Sequence, residues 1–281
     1  MFVVTGATGN VGRSLVRILA AAGAPVTATS RGITEADVPD GVGHARADLT
    51  DPESLRPVFD GADALFLQNG GPSAHLLSPR DLLDVAKAGG VRRVVLLSSQ
   101  GVATRPGSAS HGDTARSIED AVRESGMDWT ILRPGGFASN AYAWAESVRA
   151  DRTVAAPFAD VGLPTVDPDD IAEVAAVVLR ADGHAGRIHE LTGPALNTPR
   201  QAAAALADAL GEPVRFVEQT ADEAREQMLR FMPEPVVATT LSILGEPTAA
   251  ELRISPDVER VLGRAPRTFA DWARRHAAAF R

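Results

Sequence analysis

Apolar and polar positions follow two periods along the first two thirds of the chain. Phe2–Val4 is a short apolar run. Val11, Leu15, Ile18 and Leu19 then recur at helical spacing up to Ala22, and Gly23 breaks the pattern. Strand-type runs follow at Pro25–Thr29, weakly at His44–Ala47, at Ala64–Leu67, at Val91–Leu97 (the strongest), at Trp129–Leu132 and at Ile188–Leu191. Helical stretches separate them at Pro52–Phe59, Ala74–Ala88, Thr114–Glu124 and Asp169–Arg180. This alternation predicts an α/β fold, a doubly wound parallel sheet with helices on both faces. Beyond about Gly193 helical signals dominate: Pro199–Leu210, Ala221–Phe231, Pro235–Leu244 and Phe269–Phe280, with one strand-like piece at Val214–Glu218. The expected division is a Rossmann-type domain over 1–193, with a substrate-side segment near 136–165. A smaller, mostly helical region over 194–281 then covers the carboxyl edge of the sheet.

The first strand enters the first helix through Thr5-Gly6-Ala7-Thr8-Gly9-Asn10-Val11-Gly12. Glycines at this spacing suit a dinucleotide pyrophosphate. Gly6 permits a sharp turn, Gly9 clears the approach to the phosphates, and Gly12 lets helix and strand pack closely. The helix N-terminus adds unpaired N–H groups and a positive dipole end. Gly6, Thr8, Gly9, Asn10, Val11 and Gly12 are therefore expected cofactor contacts.

The end of the second strand reads Thr27-Ala28-Thr29-Ser30-Arg31, with the nearest acids only at Glu35 and Asp37. An arginine there accommodates the 2′-phosphate of NADP, so Ser30 and Arg31 favour NADP(H). Arg13 offers a second positive charge. Asp48 and Leu49 follow the third strand, where the acid meets the adenine amino group or caps the next helix. Gln68, Asn69 and Gly70 end the fourth strand beside the expected nicotinamide. Asn69 is placed to bond substrate or carboxamide; the alternative is a plain turn before Pro72.

Composition narrows the classes. The chain has 281 residues, 44% of them hydrophobic, and a net charge of -8. No basic excess exists to displace counterions from nucleic acid. There is no cysteine, which removes disulfides and thiolate catalysis. No apolar run approaches the roughly 20 residues of a membrane span, and the strand beginning at Phe2 leaves no room for a signal peptide. A cytoplasmic monomer or homodimer without nucleic-acid or membrane partners is expected. His184 and His189 lack further ligands at metal-binding spacing, so no metal is expected, and no G-x-S-x-G elbow occurs.

Several segments form an ordered set: TGATGNVG, Arg31, Ala47-Asp48-Leu49-Thr50, Val95–Ser99, and Ser125–Gly135 with Phe137 and Asn140. Asp167-Pro168-Asp169-Asp170-Ile171-Ala172 and Leu191-Thr192-Gly193-Pro194 follow. Over residues 1 to about 220 this set resembles the NmrA-like branch of the atypical short-chain dehydrogenase/reductase superfamily. The resemblance implies a Rossmann sheet holding NADP(H), with Ser98, Pro134, Gly135 and Phe137 as further cofactor contacts. It also implies either a reductase or a protein that only senses the dinucleotide.

The superfamily's usual catalytic set is a Ser after the fifth strand and a Tyr with a Lys four residues later. Here Tyr142 is the sole tyrosine and Lys87, which precedes it, the sole lysine. The Ser slot falls on Ser99, the Tyr slot on His111 and the Lys slot on Ala115. Ser99 and His111 are the expected catalytic residues, His111 as the proton donor. The competing readings are a strand-end cap for Ser99 and an exposed loop histidine for His111. Asn69, Tyr142, Trp144, Met228, Phe231 and Met232 are expected to line a flat apolar substrate, or else to be ordinary core. The expectation is an NADPH-dependent reductase of an aromatic or polycyclic ketone or quinone, acting on a small aromatic substrate. The alternative is a non-catalytic NADP(H)-sensing protein.

Overall fold

The computed structural model describes residues 1–68, 76–108 and 112–281. Seven strands form one parallel sheet: β1 (Phe2–Thr5), β2 (Val26–Ser30), β3 (Gly43–Arg46), β4 (Ala64–Gln68), β5 (Arg93–Leu97), β6 (Asp128–Pro134) and β8 (Arg187–Leu191). β7 (Thr153–Pro157) and β9 (Arg215–Gln219) form a separate two-stranded parallel sheet. The order in the large sheet is β3-β2-β1-β4-β5-β6-β8. β1 pairs with both β2 and β4, so the strand order reverses between β1 and β4. In open α/β sheets ligands bind at such a reversal, outside the strands' carboxyl ends.

Period-two side-chain alternation builds the two faces. Val4, Phe66, Val95 and Leu97 point to one side, against Val11, Leu15 and Leu19 of α1 (Asn10–Ala21) and Ile171, Val174 and Val178 of α7 (Pro168–Arg180). Val3, Leu65, Leu67, Val94 and Leu96 point to the other. There they meet α2 (Pro52–Phe59), α3 (Pro79–Ala88) and α5 (Thr114–Glu124) through Phe59, Leu82 and Ile118. Fully burying each leucine or valine contributes roughly 1.5–3 kcal/mol, so these two layers fix where the strand ends stand.

A third core lies outside the large sheet. It joins a 3-10 turn at Ala138–Trp144, α6 (Ala145–Asp151), β7, α8 (Pro199–Leu210) and α12 (Phe269–His276) around the buried Trp272. The strand-like piece near 214–218 is β9, and its partner β7 carries no strong pattern of its own. Further helices are α4 (Gly101–Thr104), α9 (Ala221–Met228), α10 (Glu234–Gly245) and α11 (Asp257–Leu262). α4, α6, α11 and β7 lie outside the expected elements. α3 starts at Pro79, later than the periodicity predicts, and β5 starts at Arg93 because Val91 and Arg92 belong to the turn after Gly90. α11 packs against the large sheet's own first face through Val258, so the C-terminal segment does not all lie on one side.

Candidate active site

β1 leaves the sheet at Thr5, and Gly6 takes a left-handed backbone, φ 60°, that turns the chain into α1. A Cβ on Gly12 would stand 2.2 Å from the Gly6 carbonyl oxygen, so the first helical turn rests directly on the glycine loop. α1 has no side-chain cap at its N-terminus, and its first intrahelical bond runs from the Arg13 N–H to the Gly9 carbonyl, 3.0 Å. The amides of Asn10, Val11 and Gly12 precede that bond and point out of the helix end, which is the arrangement that binds a phosphate.

A cavity of about 420 Å³ opens beside this turn. Gly6, Thr8, Gly9, Ser30, Arg31, Asp48, Leu49 and Gln68 line it, all of them expected contacts. Thr5, Thr29, Gly32, Ala47 and Thr50 line it as well and were not expected. Thr8 donates to the Ser30 hydroxyl at 3.3 Å, which ties the glycine turn to the end of β2. Asp48 accepts from the Thr50 N–H at 3.0 Å and from the Thr50 hydroxyl at 2.9 Å. These bonds, from the backbone first, hold its carboxyl below the usual range, and the positive charge of Arg31 adds to the effect. Of the two readings for Asp48, it makes a local turn while facing the cavity.

Among the described residues, two polar atoms at this cavity are buried without a hydrogen-bond partner: the Thr29 hydroxyl and Gln68 Oε1. A buried polar atom left unpaired costs about 1–3 kcal/mol. A dinucleotide, whose sugars bring hydroxyl donors, fits both the orphaned atoms and the uncapped helix. Arg31 is exposed at the rim, where the 2′-phosphate of NADP would meet it.

The other expected contacts divide. Asn10 donates to the Ser139 hydroxyl at 3.1 Å, bracing the helix start against the turn after Phe137. Pro134 ends β6, Gly135 follows it and donates its N–H to the Leu191 carbonyl at 3.0 Å, and Phe137 packs half-buried on the first core. Ser98 is turned away from the sheet edge. Its hydroxyl donates to the fully buried Glu119 at 2.6 Å, and Glu119 also holds the Arg133 fork at 2.8 and 2.6 Å and Arg123 at 2.7 Å. The Ser98 hydroxyl is therefore engaged by Glu119. The sequence signal was available: Arg133 follows the buried Ile131 and Leu132 in β6 and needs an acid partner.

Ser99 accepts the Gly101 N–H at 3.1 Å, just before α4. His111, Asn69 and Gly70 lie outside the described residues. Tyr142 sits in the third core with its ring centroid 5.1 Å from Trp272, and its hydroxyl meets His276 Nδ1 at 2.7 Å. Tyr142 also lines a second cavity of about 270 Å³, with Gly9, Asn10 and His276. Trp144 packs on the same core. Burial, reinforced by Asp169 and Asp167, pushes the Tyr142 phenol up. Met228 ends α9 half-buried, while Phe231 (66% exposed) and Met232 form the turn into α10. Lys87 donates to the Ser125 carbonyl at 2.9 Å, on the far face. Among the described residues no group of three or more His, Cys, Asp or Glu is placed to hold a metal, and no helix is long and apolar enough to cross a membrane.

Comparison with known proteins agrees with this geometry. A family described as NAD(P)H-binding matches residues 6–182. The chain is 37% identical to the (4-alkanoyl-5-oxo-2,5-dihydrofuran-3-yl)methyl phosphate reductase of Streptomyces griseus, covering 100% of this chain and 99% of that protein. It is 32% identical to the NAD(P)H azoreductase of Xenophilus azovorans, over 100% and 99% of the two chains. Among solved structures, an NADPH-dependent quinone oxidoreductase of Escherichia coli, complexed with NADPH, superposes with a TM-score of 0.79 at 23% identity, over 97% and 98% of the two chains.

Proposed function

The chain belongs to the NAD(P)H-binding family, and we propose that it is an NmrA-like, atypical short-chain reductase that reduces a flat, electron-poor acceptor with NADPH. The acceptor class is a quinone or an aromatic or polycyclic ketone. The observation that carries this reading is the placement of the only tyrosine and the only lysine. Tyr142 is bonded to His276 in the third core and Lys87 is bonded to Ser125 on the opposite face. An ordinary ketone needs a strong proton donor as its alkoxide forms. A quinone or a conjugated ketone delocalises that charge and needs less help.

Bound NADPH supplies the hydride; the protein supplies position and electrostatics. The α1 amides and the glycine turn hold the pyrophosphate. Arg31 and Ser30 hold the 2′-phosphate and so select NADPH over NADH. Ser99, already accepting from Gly101, keeps its own O–H to donate to the acceptor oxygen. In sequence, His111 stands where the family's tyrosine would, and to it we assign the proton that reaches that oxygen. The full-length relatives, a furanone phosphate reductase and an azoreductase, support a conjugated acceptor rather than a sugar.

Oxidation of NADPH, followed by its absorbance against a panel of naphthoquinones and aromatic ketones, tests the reading. Turnover of at least one of these acceptors is the expected result. Tight NADPH binding with no turnover on any of them would overturn it and favour a sensor of the dinucleotide.

A further inference from the structure

Helix α10 is an unusual element. Nine of its twelve residues, from Pro235 to Leu244 except Ser242, are apolar or threonine, yet only Val237 is fully buried. Val236, Leu241, Ile243 and Leu244 are all half-exposed. A helix that is apolar on most sides is ordinarily covered on most sides. Its C-terminal end is fixed by two anchors.

Arg105, directly after α4, reaches across to that end. Its Nε and Nη2 bond the two carboxylate oxygens of Glu251 at 2.8 Å each. Its Nη1 donates to the Ser242 hydroxyl at 2.9 Å and its Nη2 to the Glu246 carbonyl at 3.1 Å. The Glu251 side chain is 5% exposed and that of Arg105 19%. A parallel two-bond fork of this kind fixes orientation as well as distance. The Thr248 N–H donates to Glu251 at 2.8 Å, and the Gln100 amide donates to the Ala250 carbonyl at 3.2 Å. A second anchor is Phe158, which holds a left-handed backbone, φ 53°, and lays its ring against Gly245; a Cβ there would stand 2.6 Å from the ring. Toward the other end of α10, Arg225 and Glu234 form an exposed ion pair.

We propose that the Arg105–Glu251 clasp is a positioning device that holds α10 as the apolar wall of the acceptor site. Residues 98–108 are the segment between β5 and α5, at the carboxyl edge where the acceptor must meet the nicotinamide. The clasp joins that segment to α10, and Ser108 meets Thr239 at 3.2 Å along the same seam. The occupant of the wall is the flat apolar acceptor, so the inference rests on the proposed reductase activity. Neither Arg105 nor Glu251 touches the dinucleotide cavity, so the clasp acts on acceptor binding and not on cofactor binding.

The test compares wild type with Arg105→Gln, Glu251→Gln and the double variant, which removes both charges. Three quantities are measured: NADPH affinity by fluorescence, KM and kcat for a naphthoquinone, and amide hydrogen exchange of residues 234–245 against residues 6–12. In either single variant the expected result is exchange over 234–245 faster by at least about tenfold, since one partner of a buried pair is stranded. KM should rise about tenfold or more, with NADPH affinity and exchange over 6–12 within about twofold of wild type. The double variant should recover part of both losses. Unchanged exchange over 234–245 would show that the clasp does not hold α10. Faster exchange with unchanged KM would show that α10 is not the acceptor's wall. The exchange arm needs no turnover, so a wild type that reduces none of the acceptors sinks the functional reading and still decides whether the clasp holds the helix.

Discussion

Replacing Gly12 with alanine separates the two duties of the glycine turn. The new methyl would stand 2.2 Å from the Gly6 carbonyl oxygen, 2.8 Å from the Gly6 carbonyl carbon and 2.9 Å from the Ala7 Cα. All three are backbone atoms, so no side chain can swing aside. Comfortable contact is near 3.5 Å, so helix and turn must part by roughly 1 Å. Overpacking of this kind costs about 1–3 kcal/mol, which lowers the melting temperature by roughly 2–10 °C for a chain of this size. The same shift moves the Asn10, Val11 and Gly12 amides relative to Gly6, and NADPH should bind about ten- to a hundredfold more weakly. Gly9→Ala is the contrast. Its methyl would lie 3.2 Å from the Gly6 oxygen and 3.5 Å from Gln68 Nε2, distances that a few tenths of an ångström relieve. It should melt close to wild type yet lose NADPH affinity as strongly, because the methyl stands where the phosphates approach. Thermal unfolding and NADPH titration of both variants decide the matter. Equal losses of stability in the two, or a Gly12→Ala protein that binds NADPH as wild type does, would refute the assignment of close packing to Gly12 and phosphate approach to Gly9.

Three further outcomes follow from the site. Arg31→Ala should weaken NADPH by about tenfold or more and NADH hardly at all; equal losses in a side-by-side titration would show that Arg31 does not read the 2′-phosphate. His111→Phe should slow turnover by about 10²-fold without changing NADPH affinity, and an unchanged kcat would remove His111 from the chemistry. Burial pushes the Glu119 carboxyl up, but Arg133, Ser98 and Arg123 outweigh it and leave it below its ordinary value near 4.5. Its contribution to stability is then complete above about 4.5 and is lost as pH falls through the depressed folded value. Melting temperature should therefore drop on acidification below pH 4.5, and Glu119→Gln should be less stable at neutral pH with a shallower acid slope; parallel slopes would mean that Glu119 is not the group responsible.

The sheet, its order of elements and most of the dinucleotide cavity were legible in the sequence because each is written locally. Gly6 to Gly12 is one unbroken backbone feature. Ser30 and Arg31 end β2, and Asp48 and Leu49 follow β3, so their positions come with the strands. Thr5 and Thr29 escaped notice because a threonine in a strand looks like ordinary β-propensity; only the orphaned Thr29 hydroxyl marks it as facing a ligand. β7 was missed because Thr153–Pro157 is short and pairs only with β9, some sixty residues further along the chain. Ser98 stood at the right strand end, but the side chain's direction was decided by a partner on α5.

The acceptor side was illegible for a different reason, and the Asp167–Asp170 motif shows it best. Its resemblance to the family invites a functional reading, yet its carboxylates are braces. Asp167 caps α7 through the Asp169 N–H and pairs with Arg275, while Asp169 accepts from Ser14 at 2.7 Å. The fully buried Asp170 takes Arg264 at 2.6 Å and the Arg267 N–H at 2.7 Å. The motif fastens the C-terminal segment to the cofactor helix's neighbour. Tyr142 follows the same logic, since its partner His276 lies 134 positions away. The Arg105–Glu251 clasp spans 146 positions. A dinucleotide can be read from consecutive residues because backbone amides bind it. In the proposed reductase the acceptor meets side chains brought together by such long-range braces, and its recognition is then a property of the packed C-terminal segment. The substitutions that change substrate choice with least harm to NADPH binding should therefore fall in α10 and its anchors rather than in the glycine turn.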